Sequence, residues 1–163
     1  MSRLDSFIRR LEAQRACLDW ACREIAAVLG PVLELGLGNG RTYDHLRARL
    51  PGRGIYAFDR QLAAHPDCVP DGEHLLLGDF ADTLPAFRDR LREPAALIHA
   101  DIGSGDTDKT AALAAWLGPM LAPLLAPSGL ALSDQPLELA DAVPVAPPAG
   151  VAAGRYFIYR RRL

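Results

Sequence analysis

The stretch VLELGLGNGRT, residues 32–42, alternates for strand pairing and then gives up every second side chain to glycine. Val32, Leu33 and Leu35 read as a short buried strand, and Thr42 opens a helical pattern. Between them stand Gly36, Gly38 and Gly40. A glycine at such a place frees the backbone for conformations other residues avoid, or lets something approach it closely. In an open parallel sheet, ligands settle beyond the carboxyl ends of the strands, and this turn sits at such an end. The helix that follows would add free N–H groups and a partial positive charge.

Outward from this turn, the chain alternates strands and helices. Leu4, Phe7, Ile8, Leu11, Leu18, Ile25 and Val28 predict an amphipathic helix over 4–29, stopped by Gly30-Pro31. Strands are predicted at 32–36, 54–59, 74–79, 95–101, 129–135 and 154–161, with a weaker candidate at 142–146. Helices are predicted at 42–50 and 81–92, and at 109–126 as one helix or a pair broken by proline. The alternation implies an α/β fold: one doubly wound, mostly parallel sheet over residues 1–163, with an N-terminal helix and a shortened C-terminal part.

Composition narrows the function classes. A net charge of −2 gives no electrostatic case for nucleic acid or an anionic membrane, and the C-terminal Arg160, Arg161 and Arg162 read as a solvated tail. The longest apolar stretch is broken by Pro119, Pro123 and Pro127, against membrane spanning. A start charged from its first residues, and Cys17, Cys22 and Cys68 without a C-x-x-C pair, point to a cytoplasmic protein with neither disulfide framework nor zinc site. Arginine so far outnumbers the single Lys109 that the chain looks like the product of a GC-rich bacterial genome.

The glycine spacing G-x-G-x-G differs from the G-x-G-x-x-G of dinucleotide enzymes, and Glu34 stands two residues before it. A carboxylate at the mouth of the turn would repel a pyrophosphate and attract an ammonium or sulfonium. The motif E-x-G-x-G-x-G resembles the first motif of class I S-adenosylmethionine-dependent methyltransferases. Three later stretches match that family in order: IYAFD ending at Asp59, LLLGDF with Asp79 and Phe80, and LIHADIGSG with Asp101. The resemblance covers roughly residues 30–135, and within the family it is to small bacterial proteins whose substrate is not generally assigned. It implies a Rossmann-like fold and S-adenosylmethionine as cofactor. Glu34, Gly36, Leu37, Gly38, Asn39, Gly40, Asp59, Arg60, Asp79, Phe80 and Asp101 would hold it. Asp59 would take the ribose hydroxyls, and Asp79 and Phe80 the adenine. Asp79 also reads as a cap for the helix at 81.

Methyl transfer from a sulfonium needs alignment more than acid–base chemistry, so no triad-like signature is expected. Asp101 is the first choice for a substrate-facing acid or base. His99 shares its strand face and reads as a buried histidine tied to backbone groups, and Asp108 as a helix cap. Some O-methyltransferases hold Mg²⁺ with an acid after the fourth strand and an Asp-Asn pair after the fifth. Asp101, Asp134 and Gln135 stand at similar places, but with Gln for Asn, and no metal ligand is assigned. The acceptor is expected to be a small molecule rather than nucleic acid, since no N-P-P-Y-type motif appears. It would be recognised by the N-terminal helix, by loops 102–108 and 135–150, or by a second subunit of a homodimer. The competing readings are a non-catalytic cofactor-binding or sensor module and, more remotely, a nicotinamide oxidoreductase.

Overall fold

Ser2 begins the first helix because its side chain and that of Asp5 satisfy each other's free amides. Ser2 Oγ accepts from the Asp5 N–H and Asp5 Oδ2 from the Ser2 N–H, both at 3.0 Å. In this computed structural model, which describes residues 2–163, helix α1 is Arg3–Glu24 and stops short of 29. The guanidinium of Arg53 donates to the carbonyls of Val28 and Gly30 at 2.9 and 2.8 Å and holds 25–30 in turns. The buried face of α1 starts only at Ala13 and continues through Gln14, Cys17, Leu18, Ala21 and Cys22. Leu4, Phe7 and Ile8, expected on its core stripe, are exposed, because the first turns of α1 run past the ends of the strands.

The seven strands are β1 (Val32–Leu35), β2 (Ile55–Asp59), β3 (Leu75–Leu77), β4 (Ala95–Ala100), β5 (Leu125–Ser133), β6 (Ala142–Val145) and β7 (Phe157–Arg161). They lie in the order β3-β2-β1-β4-β5-β7-β6. The first five are parallel, and β7 runs antiparallel between β5 and β6. Helices α2 (Arg41–Arg49), α3 (Phe80–Arg88) and α4 (Thr107–Leu121) complete the doubly wound layers. Cys17, Leu18 and Leu46 of α1 and α2 cover one face with Val32, Ile55 and Leu97. On the other, Leu84, Leu117 and Leu121 of α3 and α4 pack against Leu33, Leu35, Phe58 and Ile98. Each such fully buried side chain stabilises the fold by about 1.5–3 kcal/mol. No helix among the described residues is long and apolar enough to cross a membrane.

Several boundaries differ from expectation. Of the two readings of 109–126 the single helix holds, α4 continuing through Pro119, but it ends at Leu121, and Pro123 falls in a short 3-10 turn, Ala122–Leu124. β5 therefore begins at Leu125 rather than 129, with a register shift between Ala95 and Leu97 that absorbs Ser128 in a left-handed conformation. Asp106, not Asp108, caps α4, its Oδ1 accepting from the Lys109 N–H at 3.1 Å. All three cysteines are free, and burial pushes the Cys17 and Cys22 thiols up to about 11.

Candidate functional site

Strand order reverses between β1 and β4, and a cleft of about 370 Å³ opens there at the carboxyl ends of the strands. Its floor is the turn after β1. Gly36 and Leu37 donate to the Phe58 carbonyl at 2.9 and 3.3 Å, which ties the turn to β2. Gly38 N–H donates to Asp59 Oδ2 at 2.8 Å, so the last residue of β2 holds the turn while facing the cleft. Gly36, Leu37, Gly38, Asn39, Asp59, Arg60, Phe80 and Asp101 all line this space.

The three glycines answer to different neighbours. A Cβ on Gly36 would overlap the Asp101 carbonyl oxygen, and one on Gly40 would lie 2.5 Å from Cys68 Cβ. On Gly38, at φ +50°, it would meet nothing within 4 Å. Only Gly38 leaves its space open toward the cleft. Gly40 precedes α2 without a side-chain cap, so the first amides of that helix lack a capping acceptor.

Glu34 lies elsewhere than its expected place at the mouth of the turn. It stands in mid-strand, in register with His99 on β4, and both side chains are fully buried. Glu34 Oε2 is 2.6 Å from His99 Nδ1, and Oε1 accepts from the Thr42 hydroxyl. His99 is thus tied to side chains, not to backbone groups. Its other nitrogen meets the Tyr156 hydroxyl, which in turn accepts from Gln14 Nε2 at 3.3 Å. The same Gln14 nitrogen donates to Asp101 Oδ2 at 3.0 Å, and Arg10 Nη2 donates to Oδ1 at 2.5 Å.

Proton positions along this chain follow from its ends. A carboxylate only accepts, so Asp101 fixes the Gln14 amide nitrogen toward itself, and the second hydrogen goes to Tyr156. Burial, with the nearby Asp101 charge, holds the Tyr156 hydroxyl protonated well above its ordinary range. It therefore donates to Nε2 of neutral His99, whose Nδ1–H donates to Glu34. Burial opposes charging His99, but the Glu34 carboxylate beside it outweighs that and raises its pKa. Protonation makes Nε2 a second donor on the Tyr156 oxygen.

Two other acids have structural partners. Asp79 Oδ1 caps α3 by accepting from the Ala81 N–H at 3.0 Å, and its side chain is outside the cleft lining while Phe80 is inside. Alanine at 79 is expected to cost about 1 kcal/mol of stability, read in urea denaturation. Asp134 accepts from Ile102 and Gly103 N–H at 3.0 and 3.1 Å, and burial pushes its carboxyl up. Its oxygens are thus occupied by the loop after β4, and no group of three His, Cys, Asp or Glu among the described residues is arranged to hold a metal. The 135–150 loop contributes nothing to the cleft lining. Leu137 N–H is held by the Tyr159 hydroxyl at 2.9 Å, and the Glu138 backbone packs so closely on Gly118 of α4 that a Cβ there would overlap it. Lys109 is a solvent-exposed partner of Asp106.

Sequence reasoning missed Arg10 and Gln14 on α1, Thr42 on α2 and Tyr156 in the turn before β7. No local motif marks them. A larger groove of about 670 Å³ at the opposite, amino ends of the strands offers less chemistry, because its Arg53 is engaged by backbone carbonyls.

An acceptor-only carboxylate, an aromatic face and a glycine with open space beside it at a strand-order reversal define an α/β domain whose cleft suits a nucleoside-type ligand. The chain belongs to the S-adenosyl-L-methionine methyltransferase family, whose pattern matches residues 1–161. It is 46% identical to an S-adenosyl-L-methionine methyl transferase from Silicibacter pomeroyi DSS-3, over 99% of both chains and with a TM-score of 0.94. TrmN from Thermus thermophilus shares the fold at 19% identity, TM-score 0.61, over 91% of this chain and 52% of that one. So does an O-methyltransferase from Bacillus cereus, solved in complex with SAH, at 13% identity and TM-score 0.57, over 90% of this chain and 79% of that one. No curated protein matches the chain. The protein is an S-adenosylmethionine-dependent methyltransferase.

Proposed function

We propose that this chain methylates a small-molecule acceptor bound between α1 and α4, with the cofactor along the turn after β1. The observation that carries this reading is the cleft itself, whose lining brings Gly38, Asp59, Phe80 and Asp101 together. The bound cofactor supplies a methyl group already activated on a sulfonium. Asp59 would accept from the ribose hydroxyls with the oxygen capacity left beside its bond to Gly38. Phe80 would lie against the adenine, and the uncapped start of α2 would face the cofactor carboxylate. Asp101, on β4's end, would accept a hydrogen bond from the acceptor's nucleophilic atom and take the proton it loses. Positioning supplies most of the rate in such a displacement. The small acceptor is supported by the size of the cleft and by a net charge of −2.

Calorimetric titration with S-adenosylmethionine, S-adenosylhomocysteine and NADH tests the cofactor half. Micromolar binding of the first two and none of NADH is expected. Asp59→Ala should weaken both by about 30-fold, the loss of roughly 2 kcal/mol from hydrogen bonds to a charged group. Asp79→Ala should weaken them less, since Asp79 is the cap of α3. A folded wild type that binds neither sulfur compound would overturn the assignment.

A further inference from the structure

Phe7, Arg10, Leu11 and Gln14 recur at helical spacing, so one face of α1 lies along the cleft. Leu113 of α4 and the backbone of Gly103 line the same space. None of these residues is needed for the cofactor contacts above. Phe7 sits on the overhanging first turns of α1, 46% exposed, and contributes to neither core layer. An aromatic ring and two leucines bordering a polar cleft make a surface for a flat apolar body.

Charge narrows the class of molecule. Arg10, Arg41 and Arg60 line the cleft against Asp59 and Asp101, although the chain as a whole carries a net charge of −2. A cofactor with a sulfonium, an ammonium and one carboxylate adds a further net positive charge. The loaded cleft therefore favours an anion over a cation. Arg10 is the guanidinium nearest the methyl-transfer end, paired with Asp101 at 2.5 Å and 38% exposed. It can turn from Asp101 without releasing it. Gln14 holds the other Asp101 oxygen, and Gln14 is itself clamped by Tyr156 in the buried chain.

With the methyl donor seated as proposed above, on which this inference rests, we propose that the outer half of the cleft takes an acceptor with a flat apolar body and an anionic group. The body lies against Phe7, Leu11 and Leu113. The anion pairs with Arg10, as guanidinium and carboxylate forks match. Asp101, freed on its Oδ1 side, then faces the atom to be methylated.

Three probes with one body and three charges test this: 3-phenylpropionate, 3-phenyl-1-propanol and 3-phenyl-1-propylamine. Each is titrated calorimetrically into wild-type protein saturated with S-adenosylhomocysteine, which lacks the sulfonium charge, so that any preference for the anion comes from the arginines of the cleft. The carboxylate should bind about tenfold more tightly than the alcohol, and the amine more weakly than either. Arg10→Gln should bring carboxylate and alcohol to within about twofold, and Arg10→Lys should restore part of the gap, as a point charge without the fork. Denaturation of each variant checks that it is folded. Equal binding of the three probes, preference for the amine, or no binding of any of them to the S-adenosylhomocysteine complex overturns the acceptor assignment. Failure of S-adenosylhomocysteine itself to bind wild type would instead overturn the cofactor reading.

Discussion

Glu34→Ala is expected to destabilise the protein by about 2–6 kcal/mol, because it leaves two buried donors unsatisfied at about 1–3 kcal/mol each. Glu34 has no exposed surface, and both its oxygens are engaged by His99 and Thr42. Alanine would leave the His99 Nδ1–H and the Thr42 hydroxyl without an acceptor in the interior. The loss would pass to Tyr156 and Gln14, because each hydrogen bond in the chain fixes the direction of the next. Glu34→Gln should cost less. Its amide can donate to His99 Nδ1, so that Nε2 carries the hydrogen and donates to Tyr156, and its carbonyl can still accept from Thr42. Urea denaturation of both variants checks the order, and an alanine variant as stable as wild type would remove the structural role assigned to this chain.

The same pair makes a pH prediction. The folded-state pKa of His99 is raised above its ordinary value of 6.5, so its charged form is favoured by folding. That contribution is fully present below the unfolded value and is lost as pH rises through the raised folded value. The stability gap between wild type and Glu34→Ala should therefore narrow as pH rises above 6.5. It should not close, since neutral His99 still donates to Glu34. A gap that widens with pH would contradict the raised direction.

Gly36→Ala is expected to cost about 2–5 kcal/mol, combining left-handed backbone strain of about 1–2 kcal/mol with overpacking of about 1–3 kcal/mol. At φ +87° its added methyl would collide with the Asp101 carbonyl, a backbone atom that cannot rotate away. Moving it displaces the end of β4 and, with it, the Asp101 side chain. Gly38→Ala, at φ +50° in open space, should cost only about 1 kcal/mol of stability. Its methyl would stand where the cofactor is proposed to lie, so it should weaken S-adenosylmethionine binding much more than it weakens the fold. Thermal unfolding paired with calorimetry separates the two. Equal stability losses would mean that the glycines are not divided between fold and ligand in this way.

Much of the fold was readable because local periodicity and punctuation suffice where each strand carries its own apolar run. The alternation from 32 to 135 and the turn residues around it settle a parallel α/β sheet, and even the weak strand near 142–146 forms. Errors arose where a distant side chain decides a boundary, as where Arg53 holds the segment after α1 and the helix ends early. Of the two readings of 109–126, the single helix through Pro119 is the one that forms. The stripe Leu4, Phe7 and Ile8 has helical spacing but no sheet beneath it, and periodicity cannot report how far a helix extends beyond its partner.

For the site, the sequence by itself determined the glycine turn, Asp59, Phe80 and Asp101 as neighbours of one cleft, because each ends a strand or begins a helix at the same edge of a parallel sheet. Only the tertiary structure decided what each polar group touches. Register between β1 and β4 placed Glu34 against His99 in the interior. The turn into β7 brought Tyr156 across from the far end of the chain, and α1 laid Arg10 and Gln14 on Asp101. Spacing along one chain fixes which face a residue points to, but the partner across that face comes from another element, and its identity is set by how the layers pack.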